Sequence, residues 1–86
     1  MPKYARLSPF SGRKLIKLLE KDGWIVKRRA RHGVAMAKKF PDRTRVTIVP
    51  DTNALLDDGT IAAILGPKQT DIGKVGLVNL VNKYGV

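Results

Sequence analysis

The chain has 86 residues and no cysteine, and its 17 Lys and Arg against 7 Asp and Glu give a formal net charge of +10. That length holds one small domain, residues 1–86, burying roughly 60–65% of the surface the unfolded chain exposes. Zero cysteine excludes a disulfide scaffold and any thiolate metal site, and it fits the reducing cytoplasm.

Residues 1–10 carry two prolines and no periodicity, so they read as an irregular lead-in. No apolar h-region follows the first residues, so no signal peptide is expected. No apolar run approaches the ~18–20 residues of a membrane span. Ser11 is a good N-cap for a first helix. Leu15, Ile16, Leu18 and Leu19 form its apolar stripe, and Arg13, Lys14, Lys17, Glu20 and Lys21 lie mostly off it. Asp22-Gly23 ends the helix, because glycine takes the left-handed C′ conformation without penalty. Residues 24–32 read as a strand, with Trp24, Val26, Arg28, Ala30 and His32 on one face and Ile25, Lys27, Arg29 and Arg31 on the other. Residues 34–40 form a second strand after Gly33, and Pro41-Asp42 makes a tight connection. Residues 43–49 alternate most clearly, with Thr44, Val46 and Ile48 opposite Arg43, Arg45, Thr47 and Val49. The short connections predict an antiparallel three-stranded meander. Residues 51–60 are loop-like, with Asp58 or Thr60 capping a short helix over 61–65 that Gly66-Pro67 stops. Thr70 caps a last helix over about 71–84, where Leu77, Leu80, Val81 and Tyr84 share a face. The layout is α+β: α-β-β-β-α with an extra C-terminal helix.

The charge is uneven. Residues 1–50 hold 14 basic and 3 acidic side chains, whereas residues 51–86 hold 3 basic and 4 acidic ones. A basic half beside a neutral half predicts one polyanion-facing surface, with nucleic acid as the first candidate partner and an anionic membrane or acidic protein next. Lys27, Arg28, Arg29 and Arg31 lie on the first strand, with Lys38, Lys39, Arg43 and Arg45 on its neighbours. Their charge is expected to merge on one sheet face, extended by the first helix. Such a surface binds phosphates with strong salt dependence and little sequence information. The plainer reading is a solvated charged face. Only five aromatics occur, and Trp24 after the helix stop reads as core rather than a base-stacking platform.

Little else carries chemistry. Capping explains Asp57-Asp58. No Asp/Glu/His group has metal-ligand spacing, and no Gly-rich phosphate loop or serine-nucleophile motif occurs, so neither metal nor cofactor is expected. His32 is the only histidine and sits among cations. Those cations disfavour its imidazolium, and a bound phosphate favours it. Histidine in a basic groove has the chemistry for RNA scission, deprotonating a 2′-OH or protonating the 5′-oxygen that leaves. The bland alternative is a strand-end histidine that only touches phosphate.

Residues 11–24, SGRKLIKLLEKDGW, resemble the opening of HicA-type toxins, small mRNA interferases of toxin–antitoxin pairs. That family reads approximately SGKELIKLLEKDGW, then a basic strand, then G-S-H. His32 falls at that histidine, with Ala30-Arg31 standing where the family has Gly-Ser. Residues 45–50, RVTIVP, resemble the family's strand ending in V-P, and residues 58–65, DGTIAAIL, resemble its G-T-L-x-x-I-L helix. The likeness covers about residues 11–65; the lead-in and residues 70–86 match loosely. It implies a double-stranded-RNA-binding-domain-like fold, with helices on one face of the sheet. It further implies metal-independent cleavage of mRNA with His32 essential, and inhibition by a HicB-type antitoxin protein. Lys27, Arg29, Arg31, Lys38 and Arg45 are the candidate RNA contacts. The rival readings are a non-catalytic double-stranded-RNA-binding module and a basic ribosome-associated protein.

Overall fold

The computed structural model of the chain describes residues 10–31 and 33–84. Its elements run α1 (Gly12–Lys21), β1 (Ile25–Ala30), β2 (Gly33–Lys39), β3 (Thr44–Val49), α2 (Asp58–Leu65) and α3 (Gly73–Tyr84). The strands pair antiparallel in the order β1-β2-β3. The result is the expected α+β, double-stranded-RNA-binding-domain-like α-β-β-β-α arrangement with a further helix. Among the described residues, the helices cover one face of the sheet and leave the other, with Ile25, Val46 and Ile48, exposed. Of the predicted lead-in, residues 1–9 lie outside the described residues, and Phe10 is part of the core.

Helix α1 forms because its caps and its stripe agree. The Ser11 hydroxyl accepts the Lys14 N–H at 3.2 Å. Leu15, Ile16, Leu18 and Leu19 are all buried. At the other end Gly23 takes φ 98°, its N–H donates to the Glu20 carbonyl, and the Trp24 N–H donates to the Leu19 carbonyl. These are the paired bonds of a Schellman turn. They claim Trp24 for the helix stop, so β1 begins at Ile25 rather than at residue 24. Trp24 is buried, edge-on to Phe40 with ring centroids 6.3 Å apart. Its indole N–H is the one buried side-chain donor left without a partner among the described residues.

One hydrophobic cluster runs from Phe10 through α1, Val34, Met36 and Val49 to Ile61, Ile64 and Leu65 of α2 and Leu77 and Val81 of α3. Fully covering a side chain such as Leu15, Val49 or Leu77 contributes about 1.5–3 kcal/mol. The N-terminus of α1 lies against the chain that leaves β3. Arg13 N–H donates to the Thr52 carbonyl at 3.0 Å, and Ser11 bridges to Leu55. Gly12 is buried there, with the Pro50 carbonyl where a Cβ would stand.

The register corrects the predicted faces of the first strand. Val26 pairs with Met36, but Arg28 pairs with Ala35, so Lys27 is a bulge. One extra residue reverses the alternation beyond it. Val26 and Arg29 therefore share the helix-covered face, and Ile25, Arg28 and Ala30 share the open one. The third strand follows its predicted alternation, with Arg45, Thr47 and Val49 toward the helices and Thr44, Val46 and Ile48 on the open face. Asp57 caps α2, rather than Asp58 or Thr60, by accepting the Thr60 N–H at 2.7 Å. Helix α3 starts at Gly73, two residues later than predicted. Thr70 is buried and its hydroxyl donates to the Ile64 carbonyl, finishing α2, while Asp71 takes φ 56°.

Candidate nucleic-acid interface

His32 lies outside the described residues. Its neighbours in the chain are Arg31, in the turn that follows β1, and Gly33, the first residue of β2. Ala30 pairs with Gly33, and the next pairs along the sheet are Arg29 with Val34 and Val34 with Val49. A Cβ on Gly33 would stand 2.8 Å from the Val49 carbonyl oxygen, so β3 runs close beside the turn. Two residues past Val49, Asp51 accepts an ion-paired hydrogen bond from Arg13 Nε at 3.1 Å, and its other oxygen lies 3.9 Å from Arg29 Nη1. One carboxylate thus gathers an arginine from α1 and an arginine from β1 at the end of the sheet where the β1–β2 turn lies. Both guanidinium side chains are more than half exposed, at 56% and 63%. Exposed pairs of this kind are worth about 0–1 kcal/mol and exchange readily with other anions. A phosphate offers the same acceptor geometry with more charge.

The predicted basic residues divide into two groups. Arg29 and Arg31 are at the turn end, and Lys27 is the exposed bulge residue on β1. Lys38 and Arg45 face each other across β2 and β3, toward the helix side. Gly33 and Lys38 are five residues apart on one strand, about 17 Å at the usual strand rise. Lys38 Nζ donates to the Asp22 carbonyl at 2.7 Å, reaches the Asp22 carboxylate at 3.3 Å, and sits 5.4 Å from the Phe40 ring centroid. Arg45 donates to the Pro67 carbonyl at 2.9 Å and pairs with Asp71 at 3.5 Å, with a side chain only 19% exposed. It fastens the α2–α3 connection to β3. The positive charge therefore does not merge on one sheet face, as the strand pattern predicted. The register turns Lys38 and Arg45 toward the helices, and the open face carries Ile25, Val46 and Ile48 instead.

Sequence reading missed Asp51. Its two partners are far away in the chain, and no local pattern marks it. The only signal was its position directly after the strand-ending Val49-Pro50. Among the described residues, no three His, Cys, Asp or Glu side chains converge as a metal site would need. None of the helices formed by these residues is long and apolar enough to cross a membrane.

A small open-sheet α+β domain with a basic, arginine-bearing end belongs among the double-stranded-RNA-binding-like folds. Residues 12–72 match the family described as HicA toxin of bacterial toxin-antitoxin, and the chain belongs to that family. It is therefore a toxin of a toxin–antitoxin system, from a family of RNases, with a cognate antitoxin as its partner. No curated protein and no solved structure matches the chain.

Proposed function

We propose that the protein is an mRNA interferase, a toxin endoribonuclease that cuts RNA without a metal ion and that a cognate HicB-type antitoxin silences in the cytoplasm. His32 acts as general acid/base. The observation that carries this reading is the pair of arginines, Arg13 and Arg29, gathered by Asp51 beside the turn that carries the only histidine.

The chemistry is transesterification. The 2′-oxygen loses its proton and attacks the adjacent phosphorus. The new O2′–P bond forms as the P–O5′ bond breaks, and the departing 5′-oxygen takes up a proton. His32 serves one of these two proton transfers. Arg29 and Arg31 neutralise the charge that builds on the non-bridging oxygens in the transition state, which is where a fixed cation helps most. Lys27 and Arg13 hold flanking phosphates. Lys38 and Arg45, committed to intrachain acceptors, hold the frame and add to the long-range field.

A second reading rests on one departure. Ala30-Arg31 replaces the flexible Gly-Ser before the histidine, and this favours a module that binds RNA without cutting it. The purified protein is to be incubated with an mRNA transcript in EDTA. Fragments ending in 2′,3′-cyclic phosphate support the nuclease; an intact, bound transcript supports the second reading.

A further inference from the structure

Among the described residues, Asp51 is the one carboxylate shared by two cations. The other ion-paired acids each take a single cation: Asp22 takes Lys38, Asp42 takes Arg43 and Asp71 takes Arg45. Asp51 also differs in that the fold does not lean on its side chain. Its backbone is fixed on both sides without the carboxylate. The Arg13 N–H donates to the Thr52 carbonyl at 3.0 Å, the Thr52 N–H donates to the Pro50 carbonyl at 3.1 Å, and Gly12 packs directly on Pro50. The Asp51 side chain is 38% exposed, so it can rotate away without moving the chain.

Its grip on the arginines is loose. Arg13 gives it one nitrogen, Nε at 3.1 Å, and Arg29 Nη1 at 3.9 Å lies beyond hydrogen-bond reach. Each guanidinium fork keeps further N–H donors for another acceptor. The carboxylate therefore stands where an RNA phosphate would stand and holds both cations weakly. A nucleic-acid strand brings successive phosphates, one for each arginine, and each charge-assisted bond it makes is stronger than the contact it replaces. Until the carboxylate leaves, the incoming phosphates also meet a like charge.

We infer that Asp51 is a built-in competitor for the RNA backbone, a stand-in anion that adjacent phosphates of one strand displace from Arg13 and Arg29. The inference rests on the RNA site proposed above and adds its regulation. Because one carboxylate holds both arginines, freeing both takes two phosphates, and a lone phosphate exchanges for only one of them. The site is thus reserved for polymeric RNA, and the returning carboxylate helps to expel the severed end after cleavage.

The test uses a 2′-O-methyl RNA oligonucleotide, which lacks the attacking hydroxyl and so reports binding without cleavage. Its Kd is measured by fluorescence anisotropy over a series of salt concentrations, with thermal unfolding in parallel. The proteins are wild type, Asp51→Asn, Asp42→Asn, Arg29→Ala, and Asp51→Asn combined with Arg29→Ala. Asp51→Asn keeps the shape and an acceptor for Arg13 while removing the charge. Asp42→Asn makes the same change of net charge in the β2–β3 connection, at the far end of the sheet. Asp51→Asn should tighten binding about 5-fold at low salt, the scale of exposed ion pairs. It should also steepen the fall of log K with log salt by about 0.7, as one more phosphate neutralised on a single strand would. Asp51→Ser, neutral and smaller, should move binding in the same direction, and Asp42→Asn should stay within 2-fold of wild type. The gain should shrink by more than half in the Arg29→Ala background, because the competitor and its target are then both gone. Folded Asp51→Asn that binds RNA like wild type or more weakly overturns the inference, as does an equal gain from Asp42→Asn, which would make the effect one of net charge alone. A wild type that shows this pattern yet cuts no mRNA transcript leaves the inference standing and removes the nuclease reading, whereas a wild type that binds no RNA overturns both.

Discussion

Replacing Gly12 by alanine sets two physical effects against each other. Gly12 is the first residue of α1, and glycine in a helix costs about 1 kcal/mol relative to alanine, so propensity alone predicts stabilisation. Packing predicts the reverse. A methyl on Gly12 would overlap the Pro50 carbonyl oxygen and stand 2.8 Å from the carbonyl carbon. To reach an ordinary carbon separation of about 3.5 Å the carbon must retreat by about 0.7 Å, and the oxygen by more. The obstacle is backbone, so no rotamer change relieves it. Moving it strains the bond from Arg13 N–H to the Thr52 carbonyl, worth about 0.5–1.5 kcal/mol net, and overpacking adds about 1–3 kcal/mol. The net expectation is a loss of about 2 kcal/mol, which lowers Tm by about 10 °C in a domain of this size. Gly59→Ala is the matched control. Its Cβ would meet only the Asp57 carboxylate, at 3.4 Å, so propensity acts unopposed and Tm holds or rises. Thermal unfolding by circular dichroism reads both. A Gly12→Ala protein as stable as wild type would refute the close approach of α1 to β3, and with it the placement of Arg13 beside Asp51.

Four further outcomes follow from the same geometry. Leu15→Ala, at a position fully covered by the core, should cost about 2–5 kcal/mol and leave little folded protein at 37 °C, read by urea unfolding. Arg29→Ala should weaken RNA binding across sequences and reduce the salt slope of log K by about 0.7 for a single strand, read by fluorescence anisotropy at several salt concentrations. An unchanged slope would remove Arg29 from the phosphate contacts. Arg45→Met should lower Tm while leaving that slope nearly unaltered, because its donors are spent on Pro67, Gln69 and Asp71. The hydrogen bond from the Thr60 backbone N–H, helped by the Thr60 side chain, holds the Asp57 carboxyl below the ordinary aspartate range. Its folded-state pKa is depressed, so its contribution to stability is complete above the unfolded value and is lost as pH falls through the folded one. Tm measured from pH 6 down to pH 3 should therefore fall less steeply in Asp57→Asn, which caps without titrating.

The elements were legible wherever local chemistry and tertiary structure agree. Ser11, the Leu15 to Leu19 stripe and Gly23 specify α1 by themselves. The alternation through Val46 and Ile48 specifies β3 because one face of that strand is covered and the other open. The bulge at Lys27 left no trace, because an extra residue inside a polar run changes neither composition nor propensity. That single residue decides which arginine of the run sits beside Asp51. The start of α3 was misjudged because Thr70 is drawn back to Ile64 by a hydrogen bond between segments, whereas as a sequence feature it looks like a cap. The candidate site is legible in the sequence as a kind of chemistry rather than as an arrangement. A basic strand with one histidine was plain in the sequence. That Lys38 belongs to Asp22, Arg45 to the α2–α3 connection, and Arg13 and Arg29 to one carboxylate depends on contacts across the fold.

The central claim is that a metal-free RNA-cutting centre sits at the β1–β2 turn and works through His32. Its most direct test compares wild type with folded His32→Ala on one mRNA transcript in EDTA, scoring cleavage on a sequencing gel and binding by filter retention. Cleavage by wild type that is lost in His32→Ala, with RNA binding kept within about 2-fold, is the predicted result. Equal cutting by both proteins, or intact RNA bound equally by both, would contradict it.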